Sequence, residues 1–561
     1  MTQQKISTPP CRNQWTRFRQ GKGSRLAIPS TTTAQPAISL TTIFRVLLAG
    51  LALLTSALAQ AEVRALVIGI DEYRHGSSLK GAVADAQDIA TALKALGVTD
   101  LRVRLNAEAT RDNLVQDWRD LVACAQPGDT LVLTYAGHGS QQPERVEGSE
   151  EDGKDEILLL GGYTEKGDGT RERILDDEFN QWFKEANDQG LAILFLADAC
   201  HSGTLTRGVD PRASGGQVRY STVGAITDDE LELDLPPTAA ALGEQDLPGL
   251  TFLAAGQENQ KVPEVSLFDI QGHRAPRGAL SWAFSRALEG QADQDSDGRL
   301  TRDEINRFVR ANVRAVAEAR QTPNLLPMAD EQRVVLPLAG TRGTVTTPTA
   351  LPEARVRILA ADETAATALA TDLTGMKQVA SDEEADLVFD TGARQAISGQ
   401  GDVLARDLRR PALQTVIDKW RGLERLKWER LGDRLTMRVL PNDGTHRRGE
   451  RIAFEIDDIQ LPYLVFFSLS GDGTLHYHYP WPEDPDRVPT GRPVKVEFDV
   501  TPPFGADHII AVASDQSLGE LAALLKSLDG KPAPRPAVEA VLEAIRQGRR
   551  QLGIQGLFTA P

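Results

Sequence analysis

The chain contains 561 residues, of which 41% are hydrophobic and 25% are charged, and its formal net charge is −17. This composition is that of a globular protein, and the length predicts two or three domains rather than one. Nucleic-acid binding needs clustered Lys and Arg to neutralise phosphates, so the acidic balance argues against a nucleic-acid partner and favours a cationic substrate.

The first 61 residues differ in character from the rest of the chain. They hold seven basic residues and no acidic one, and the apolar run "VLLAGLALLTSALA" leads to "AQA" before Glu62. Such a run is short for a membrane span and is typical of a secretory signal, here with an extended basic region. We expect cleavage after Ala61 and export to a bacterial periplasm or the extracellular medium. The alternatives are a start codon assigned too early and an uncleaved segment that anchors the protein to a membrane.

From residue 63 onward, short apolar runs alternate with amphipathic stretches. The runs "VRALVIGI", "LRVRL", "TLVLTYA", "ILLL" and "LAILFLA" predict strands, while "GAVADAQDIATALKALG" and "DDEFNQWFKEAN" predict helices. Continuous apolar strands alternating with helices are typical of an α/β fold, in which a mainly parallel sheet is covered by helices on both faces. Residues 204–248 are rich in Gly, Pro, Asp and Arg and predict a long surface loop.

The pattern changes twice beyond this unit. The segment "GTRGTVTTPTALPEA" has the composition of a linker and begins a region, 340–430, predicted as linker plus a small mixed α/β unit with a helical run through Trp420 and Trp428. From 431 to 561, short strands with Pro, Asn-Asp-Gly and Gly-Asp-Gly turns predict an antiparallel β-sandwich. The predicted units are therefore 1–61, 62–339, 340–430 and 431–561.

Two of the predicted strands end in small residues that present a histidine and a cysteine. "TYAGHGSQ" places His138, and "FLADACHSG" places Cys200, just past the carboxyl ends of buried strands, where sites of parallel sheets collect. Cys200 is a candidate nucleophile and His138 its candidate base, with the N–H groups of Gly139 and Cys200 as candidate oxyanion donors. The alternative is an inert buried cysteine beside a loop histidine, and no third catalytic side chain is evident.

These residues resemble a known family. "YAGHG", "DACHSG" and "LVIGIDEYRHGSSLKGAVADA" are similar to the histidine, cysteine and first-strand motifs of the caspase-like cysteine peptidases of family C14, and among them the metacaspases. The resemblance covers about residues 63–335. It implies a caspase-like fold, a dyad of His138 and Cys200, and an endopeptidase that cleaves protein or peptide substrates after Arg or Lys.

The same resemblance assigns a specificity pocket. Asp85 and Asp198 match the acidic positions that line the family's first pocket, where two carboxylates would bind a guanidinium in bidentate fashion. The alternative interpretation is that Asp85 is an acid on a helix surface and that Asp198 is a turn residue at a strand end. Ala136 stands where many metacaspases carry serine, so the sequence does not decide how polar the pocket is.

One acidic stretch predicts a calcium site. In "DQDSDGRLTRDE" (293–304) the residues at the liganding positions of an EF-hand loop follow the calcium pattern, including its glycine turn and terminal glutamate. These positions are held by Asp293, Asp295, Asp297, Gly298, the Arg299 carbonyl, Thr301 and Glu304. The alternative is a solvated acidic loop that caps the following helix.

A second acidic set predicts calcium less clearly. "EEDGKDE" and "LDDE" resemble the loops through which calcium activates several metacaspases, with Asp152, Asp176 and Asp177 at the matching places. Arg207 lies near where such sites usually carry another aspartate. The sequence therefore leaves open whether calcium activates the protein or only stabilises it, and a solvated acidic loop is the alternative.

Self-cleavage and a non-catalytic role complete the predictions. The 204–248 loop offers Arg207, Arg212 and Arg219 to a peptidase that cuts after basic residues. The rival to an exported endopeptidase is a catalytically silent caspase-like scaffold that recruits proteins through the C-terminal sandwich. The ligand of that sandwich is not predicted.

Overall fold

The computed structural model describes residues 61–144, 153–200, 218–221, 247–256, 260–268, 274–338, 351–442, 444–485 and 487–561. The predicted signal segment up to residue 60 and most of the 204–248 loop lie outside these residues. Among the described residues, no helix combines the length and the apolar character needed to cross a membrane.

Strands and helices alternate through the N-terminal region. The strands are β1 (Val63–Gly69), β2 (Asp100–Leu105), β3 (Thr130–Ala136), β4 (Gly139–Pro143), β5 (Lys154–Leu159), β6 (Arg173–Leu175), β7 (Ala192–Asp198), β8 (Leu250–Ala254), β9 (Glu264–Phe268), β10 (Arg274–Gly278), β11 (Arg299–Thr301), β12 (Asn324–Leu326) and β13 (Val334–Pro337). The helices are α1 (Ala82–Ala95), α2 (Arg111–Cys124), α3 (Asp176–Asp188), α4 (Ala279–Arg286) and α5 (Arg302–Val316), with a π-helical turn at Ala287–Gln291 after α4.

A six-stranded sheet organises this region. Its order is β12-β8-β7-β3-β1-β2, and every pairing is parallel except that of the edge strand β12. Side chains of β3 alternate between two cores: Val132 packs with α1, α4 and α5, while Leu131 and Leu133 pack with α2 and α3. The prediction of a mainly parallel sheet covered on both faces is confirmed.

The C-terminal region contains three further sheets. Its strands are β14 (Ala354–Leu359), β15 (Met376–Gln378), β16 (Leu387–Asp390), β17 (Gln395–Ser398), β18 (Val403–Ala405), β19 (Thr436–Leu440), β20 (Thr445–Arg447), β21 (Arg451–Asp457), β22 (Tyr463–Leu469), β23 (Leu475–Tyr479), β24 (Val494–Asp499), β25 (Ala506–Ser514) and β26 (Arg550–Ala560). Its helices are α6 (Glu363–Thr371), α7 (Arg410–Leu426), α8 (Gly519–Ser527) and α9 (Pro534–Ala544). The first sheet, β15-β14-β16-β17-β18, forms a small mixed unit.

The other two sheets face each other across an apolar core. One has the order β19-β21-β24 and the other β20-β26-β25-β22-β23, and Met437, Phe454 and Phe466 lie between them. The outer face of the larger sheet is covered by α7, α8 and α9. The last two helices were not predicted, because their apolar spacing stands among strand-like runs; the sandwich therefore carries a helical layer.

Helix α7 links the small unit to the larger sheet of the sandwich. Leu413 and Ile417 pack into the small unit, and Leu423 packs under the larger sheet. The predicted helical run through Trp428 instead ends at Leu426, and Trp428 enters the core of the N-terminal region.

Candidate active site

The parallel pairing of β3 with β7 brings the two predicted strand ends together. Ala136 pairs with Asp198, so the turns that follow carry His138 and Cys200 along adjacent strands. The main chains of these turns touch, because a Cβ at Gly139 would lie 2.0 Å from the carbonyl oxygen of Cys200. Residue 139 must therefore be glycine for the two turns to approach this closely.

The imidazole of His138 is held by a main-chain carbonyl. Its Nε2 lies 2.7 Å from the carbonyl oxygen of Ser77, which can only accept, so Nε2 carries the proton and Nδ1 the lone pair. Nδ1 is buried and has no hydrogen-bond partner among the described residues. Burial lowers the pKa of His138. The lowered pKa favours the neutral ring, and the group that orients it is the carbonyl of Ser77, which no side-chain pattern could reveal.

Tyr73 fixes the turn that carries the imidazole. Its hydroxyl accepts a hydrogen bond from the His138 main-chain N–H at 2.7 Å, and the two rings lie 4.6 Å apart between centroids. Tyr135 then donates from its own hydroxyl to the carbonyl of His138 at 2.7 Å. Both tyrosines lie in the region of the first-strand and histidine motifs, although neither was predicted as a site residue.

The thiol of Cys200 is buried in its protonated form. The residue is 1% exposed, and its Sγ accepts a hydrogen bond from the Val262 main-chain N–H at 3.0 Å. Burial raises the pKa of the thiol to about 12, against the lowering effect of the Val262 N–H. In this state the sulfur is not yet a thiolate.

A segment of the chain itself lies over the thiol and the imidazole. The carbonyl oxygen of Arg219 accepts hydrogen bonds from the N–H groups of Gly139 and Cys200, at 3.1 Å each. The N–H of Arg219 donates to the Val262 carbonyl at 2.9 Å, and that of Ser221 to the Gly139 carbonyl at 3.3 Å. The two N–H groups predicted as oxyanion donors thus converge on the peptide carbonyl that precedes Tyr220.

The side chain of Arg219 fills an acidic pocket. It is fully buried, and its guanidinium pairs with Asp85 through Nη2 and with Asp198 through Nη1, at 3.3 Å from the Asp198 carboxylate and 3.1 Å from its carbonyl. Glu264 is a third carboxylate, 3.3 Å from Nη2. Burial alone would lower the pKa of the guanidinium, but Asp198, Asp85 and Glu264 raise it, so the group stays cationic.

The two predicted pocket residues are neither surface acids nor plain turn residues. Asp85 lies in the first turn of α1 and accepts from the Gly278 N–H at 2.8 Å, and Asp198 accepts from the Ser281 N–H at 2.8 Å. Both are buried. Glu264 has no such motif, since it stands in the β9–β10 hairpin and joins the pocket only through the fold.

Three carboxylates of the predicted calcium loop lie close together. Carboxylate oxygens of Asp293, Asp295 and Asp297 lie within 4.8 Å of one another, and Gly298 takes the left-handed turn with a φ of 76°. Arg299 and Thr301 follow in β11, and Thr301 caps α5. The Glu304 carboxylate accepts from the Gln294 N–H at 3.1 Å and from the Thr301 N–H at 3.0 Å, and the second contact is the helix cap of the alternative interpretation.

The second acidic set is only partly described. Asp152 lies outside the described residues. Asp176 and Asp177 begin α3, and the Asp176 carboxylate lies 3.3 Å from the Glu156 main-chain nitrogen. Burial and the charge of Glu156 raise the pKa of Asp176 well above its usual value. Within the described part of the chain, a close group of three carboxylates appears at 293–297 and not around Asp176.

A thiol and an imidazole follow adjacent strand ends of the parallel sheet, and two N–H groups bind a peptide carbonyl. This is the set of groups that thiol-dependent acyl transfer requires. The model of the metacaspase, peptidase C14 domain matches residues 63–207. The predicted resemblance to the C14 cysteine peptidases is therefore confirmed for these residues.

The chain is also similar in sequence to several metacaspases. The chain is 26% identical over 253 residues to Metacaspase-1A of Aspergillus fumigatus, covering 42% of this chain and 58% of the relative. It is 26% identical over 245 residues to Metacaspase-1 of Pyricularia oryzae, covering 41% of this chain and 58% of the relative. The chain thus spans a little over half the length of these relatives.

Two solved structures are similar over about half the chain. A protein from Geobacter sulfurreducens aligns at 20% identity with a TM-score of 0.36, covering 49% of this chain and 99% of the other. Caspase-1 from Spodoptera frugiperda aligns at 12% identity with a TM-score of 0.31, covering 50% and 91%.

Proposed function

We propose that this protein is a cysteine endopeptidase that cleaves peptide bonds after basic residues, with arginine preferred. One observation carries the proposal. Arg219 occupies the site as a substrate residue would, with its carbonyl oxygen on the N–H groups of Gly139 and Cys200 and its guanidinium among three carboxylates. An inert cysteine beside a loop histidine needs neither arrangement.

The chemistry follows from these positions. The Cys200 thiol leaves the Val262 amide, gives its proton to Nδ1 of His138, and its sulfur attacks the carbonyl carbon of the bound residue. The negative charge on the carbonyl oxygen is stabilised by the N–H groups of Gly139 and Cys200. The C–N bond then breaks as His138 protonates the leaving amine, and water hydrolyses the remaining thioester to free acid and thiol.

The pocket supports a basic residue before the cleaved bond. Asp198 meets one terminal nitrogen of the guanidinium, while Asp85 and Glu264 meet the other. Planar, two-sided recognition of this kind favours Arg over Lys, whose ammonium offers a single nitrogen. Substrates are therefore proteins or peptides that display arginine in an extended segment.

The bound segment also makes the protein a substrate of itself. The bond held at the site is Arg219–Tyr220, and its cleavage would release the segment that covers the thiol. Of the three arginines predicted as self-cleavage sites, Arg219 is the one in the described part of the chain; Arg207 and Arg212 lie outside it. Until that bond is cut, a peptide must displace Arg219 to reach Cys200.

We further propose that calcium binds to the 293–304 loop. The three clustered aspartates and the glycine turn fit a hard cation that takes oxygen ligands. The residues that would hold calcium are Asp293, Asp295, Asp297, the Arg299 carbonyl, Thr301 and Glu304. Bound calcium would tie α5 to the turn that follows α4, which is a stabilising role. Activation through Asp152, Asp176 and Asp177 remains a proposal, as does export through the 1–61 segment.

A fluorogenic arginyl peptide tests the proposed activity. The wild-type chain, with and without calcium, is compared with Cys200→Ala. We expect hydrolysis by the wild type and a loss of at least a thousandfold in the variant, since the nucleophile is gone. Equal rates for the two proteins would leave the catalytically silent scaffold, which recruits partners through the C-terminal region.

A further inference from the structure

One hairpin connects the arginine pocket to the C-terminal region. Strands β9 and β10 pair antiparallel, with Glu264 opposite Gly278 at one end and Phe268 opposite Arg274 at the other. The first pair lies at the pocket and the second against residues of the small unit and α7. A displacement at one end of so short a ladder is transmitted to the other.

At the pocket end, the hairpin supplies both a carboxylate and an N–H group. Glu264 lies 3.3 Å from the Arg219 guanidinium, and its own carboxylate accepts from the N–H groups of Lys80 and Gly81 at 3.0 and 2.9 Å. The N–H of Gly278 fixes Asp85 at 2.8 Å. Two of the three pocket carboxylates thus depend on where the hairpin lies.

At the far end, Arg274 is held entirely by the C-terminal region and its own hairpin partner. Its guanidinium lies 3.0 Å from Asp386, 3.4 Å from Glu424 and 4.7 Å from the ring centroid of Trp420. The two carboxylates are nearly buried, so these ion pairs are little screened by solvent. Such a fork of contacts sets both the position and the angle of the hairpin end.

Two further contacts run in the same direction. The Trp428 ring packs edge-on against Phe268 at 5.3 Å and against Trp282 at 5.6 Å. Lys80, whose N–H holds Glu264, extends its ammonium to Glu384 of the small unit at 2.6 Å. The C-terminal region therefore contacts both the hairpin that carries Glu264 and the segment whose N–H groups bind the Glu264 carboxylate.

We propose that the C-terminal region is part of the arginine-recognition apparatus: it positions Glu264 and Gly278 through Arg274, Trp428 and the β9–β10 hairpin. The inference rests on the proposed function in taking the Arg219 pocket as the specificity pocket. Arg274 acts here as a positioning residue, because it touches no substrate atom. The C-terminal region then increases the affinity of the pocket for a guanidinium.

The critical variant is Arg274→Ala. Removing this side chain strands neither carboxylate, because Asp386 keeps Arg355 at 2.9 Å and Glu424 keeps Lys427 at 2.9 Å. The fold is expected to survive for that reason. The matched control is Arg357→Ala. Arg274 and Arg357 line one cavity between the β9–β10 hairpin and the small unit. The hydrogen-bond partners of Arg357, the carbonyls of Ala380 and Glu383, belong to the small unit.

The first measurement needs no peptidase activity. In a Cys200→Ala background, trypsin cuts after Arg219 only when that side chain leaves its pocket, so the rate reports how firmly the pocket holds it. We expect Arg274→Ala to speed this cut about fivefold or more, the effect of losing about 1 kcal/mol, and Arg357→Ala to leave it unchanged. Cuts after Arg207 and Arg212 serve as internal references.

The second measurement uses an active chain that also carries Arg219→Ala, so that no internal arginine competes with the peptide for the pocket. Arg274→Ala should raise KM for an arginyl peptide about fivefold and change kcat less than twofold, with Arg274→Lys restoring only part of the difference. Equal trypsin rates for Arg274→Ala and Arg357→Ala would overturn the inference. If the wild type cuts no peptide, the proposed function fails, but the trypsin comparison still decides the positioning role.

A folding defect is controlled separately. Should Arg274→Ala lose its cooperative melting transition, Glu424→Gln takes its place, since it keeps the side-chain shape and removes one of the two charges that hold Arg274. A faster cut after Arg219 in Glu424→Gln supports the inference. An unchanged rate in a variant that melts like the control contradicts it.

Discussion

The carbonyl oxygen of Arg219 lies 3.1 Å from the main-chain nitrogen of Cys200, so the chain places one of its own peptide bonds against its own candidate nucleophile. Burial of the Arg219 side chain among Asp85, Asp198 and Glu264 holds it there. Under the proposed function, this internal arginine blocks the site toward other chains and presents the Arg219–Tyr220 bond for cleavage.

Self-cleavage is expected at one bond. Incubation of the wild-type chain with calcium should yield fragments that end at Arg219 and begin at Tyr220, detected by intact-mass analysis. Arg219→Ala should abolish these fragments, because alanine offers nothing to the three carboxylates, and Arg219→Lys should slow their formation about tenfold. Arg212→Ala, in the same loop, is the control. A wild-type chain that stays intact while cutting peptides would exclude processing.

Reaction of the thiol with iodoacetamide should depend steeply on pH. Because the pKa of Cys200 is raised to about 12, its thiolate fraction is small at neutral pH and grows about tenfold for each pH unit below that value. In Arg219→Ala the covering segment loses its anchor and water reaches the sulfur. Burial is the largest cause of the raised pKa and outweighs the lowering effect of the Arg219 charge, so the pKa falls when both are removed. Alkylation at pH 7.5, mapped to Cys200 by mass spectrometry, should then quicken at least tenfold. An unchanged rate would mean that the segment does not cause the burial.

Glu264 should act as a specificity residue. The Glu264→Gln variant keeps a side chain of the same shape but removes one of the two carboxylates at Nη2. In a chain that also carries Arg219→Ala, so that no internal arginine competes, we expect kcat/KM for an arginyl peptide to fall about tenfold, which corresponds to about 1.4 kcal/mol for a charge-assisted contact. Glu383→Gln, on the wall of the neighbouring cavity, is the matched control. Identical values for the two variants would remove Glu264 from the pocket.

Calcium should stabilise the protein through the 293–304 loop. Addition of calcium at a hundred times its dissociation constant would add about 2.7 kcal/mol to the free energy of unfolding and raise Tm by a few degrees. In the double variant Asp295→Asn, Asp297→Asn the increase should vanish, because two exposed ligands lose their charge. Glu520→Gln, an exposed acid on α8, should respond as the wild type does. A calcium shift that persists in the double variant would place the ion elsewhere.

Much of the site was predictable because its groups follow strand ends. His138, Gly139 and Cys200 are side chains and N–H groups at fixed offsets from two buried strands, and the parallel pairing of those strands brings them together. Ser77, Val262 and Glu264 were not predictable in this way. They contribute a carbonyl, an N–H group and a carboxylate. Two loops and the β9 strand bring these groups in, along paths that the local sequence does not determine.

The fold of the C-terminal region shows the same division. Alternating apolar residues predict its strands. The same pattern does not predict α8 and α9, because their apolar residues are equally consistent with short strands. The departure of Trp428 from α7 into the N-terminal core depends on packing between regions and leaves no local pattern.

Local sequence predicts the alternation of buried strands and amphipathic helices, the cysteine and histidine at two strand ends, and the spacing of the acidic 293–304 loop, because periodicity and spacing are local properties. Three contacts follow from the folded chain alone: Arg219 fills the acidic pocket, Glu264 joins it, and Arg274 ties it to the C-terminal region. These contacts join residues far apart in the chain, and their energies come from burial and charge that exist only once the chain has folded.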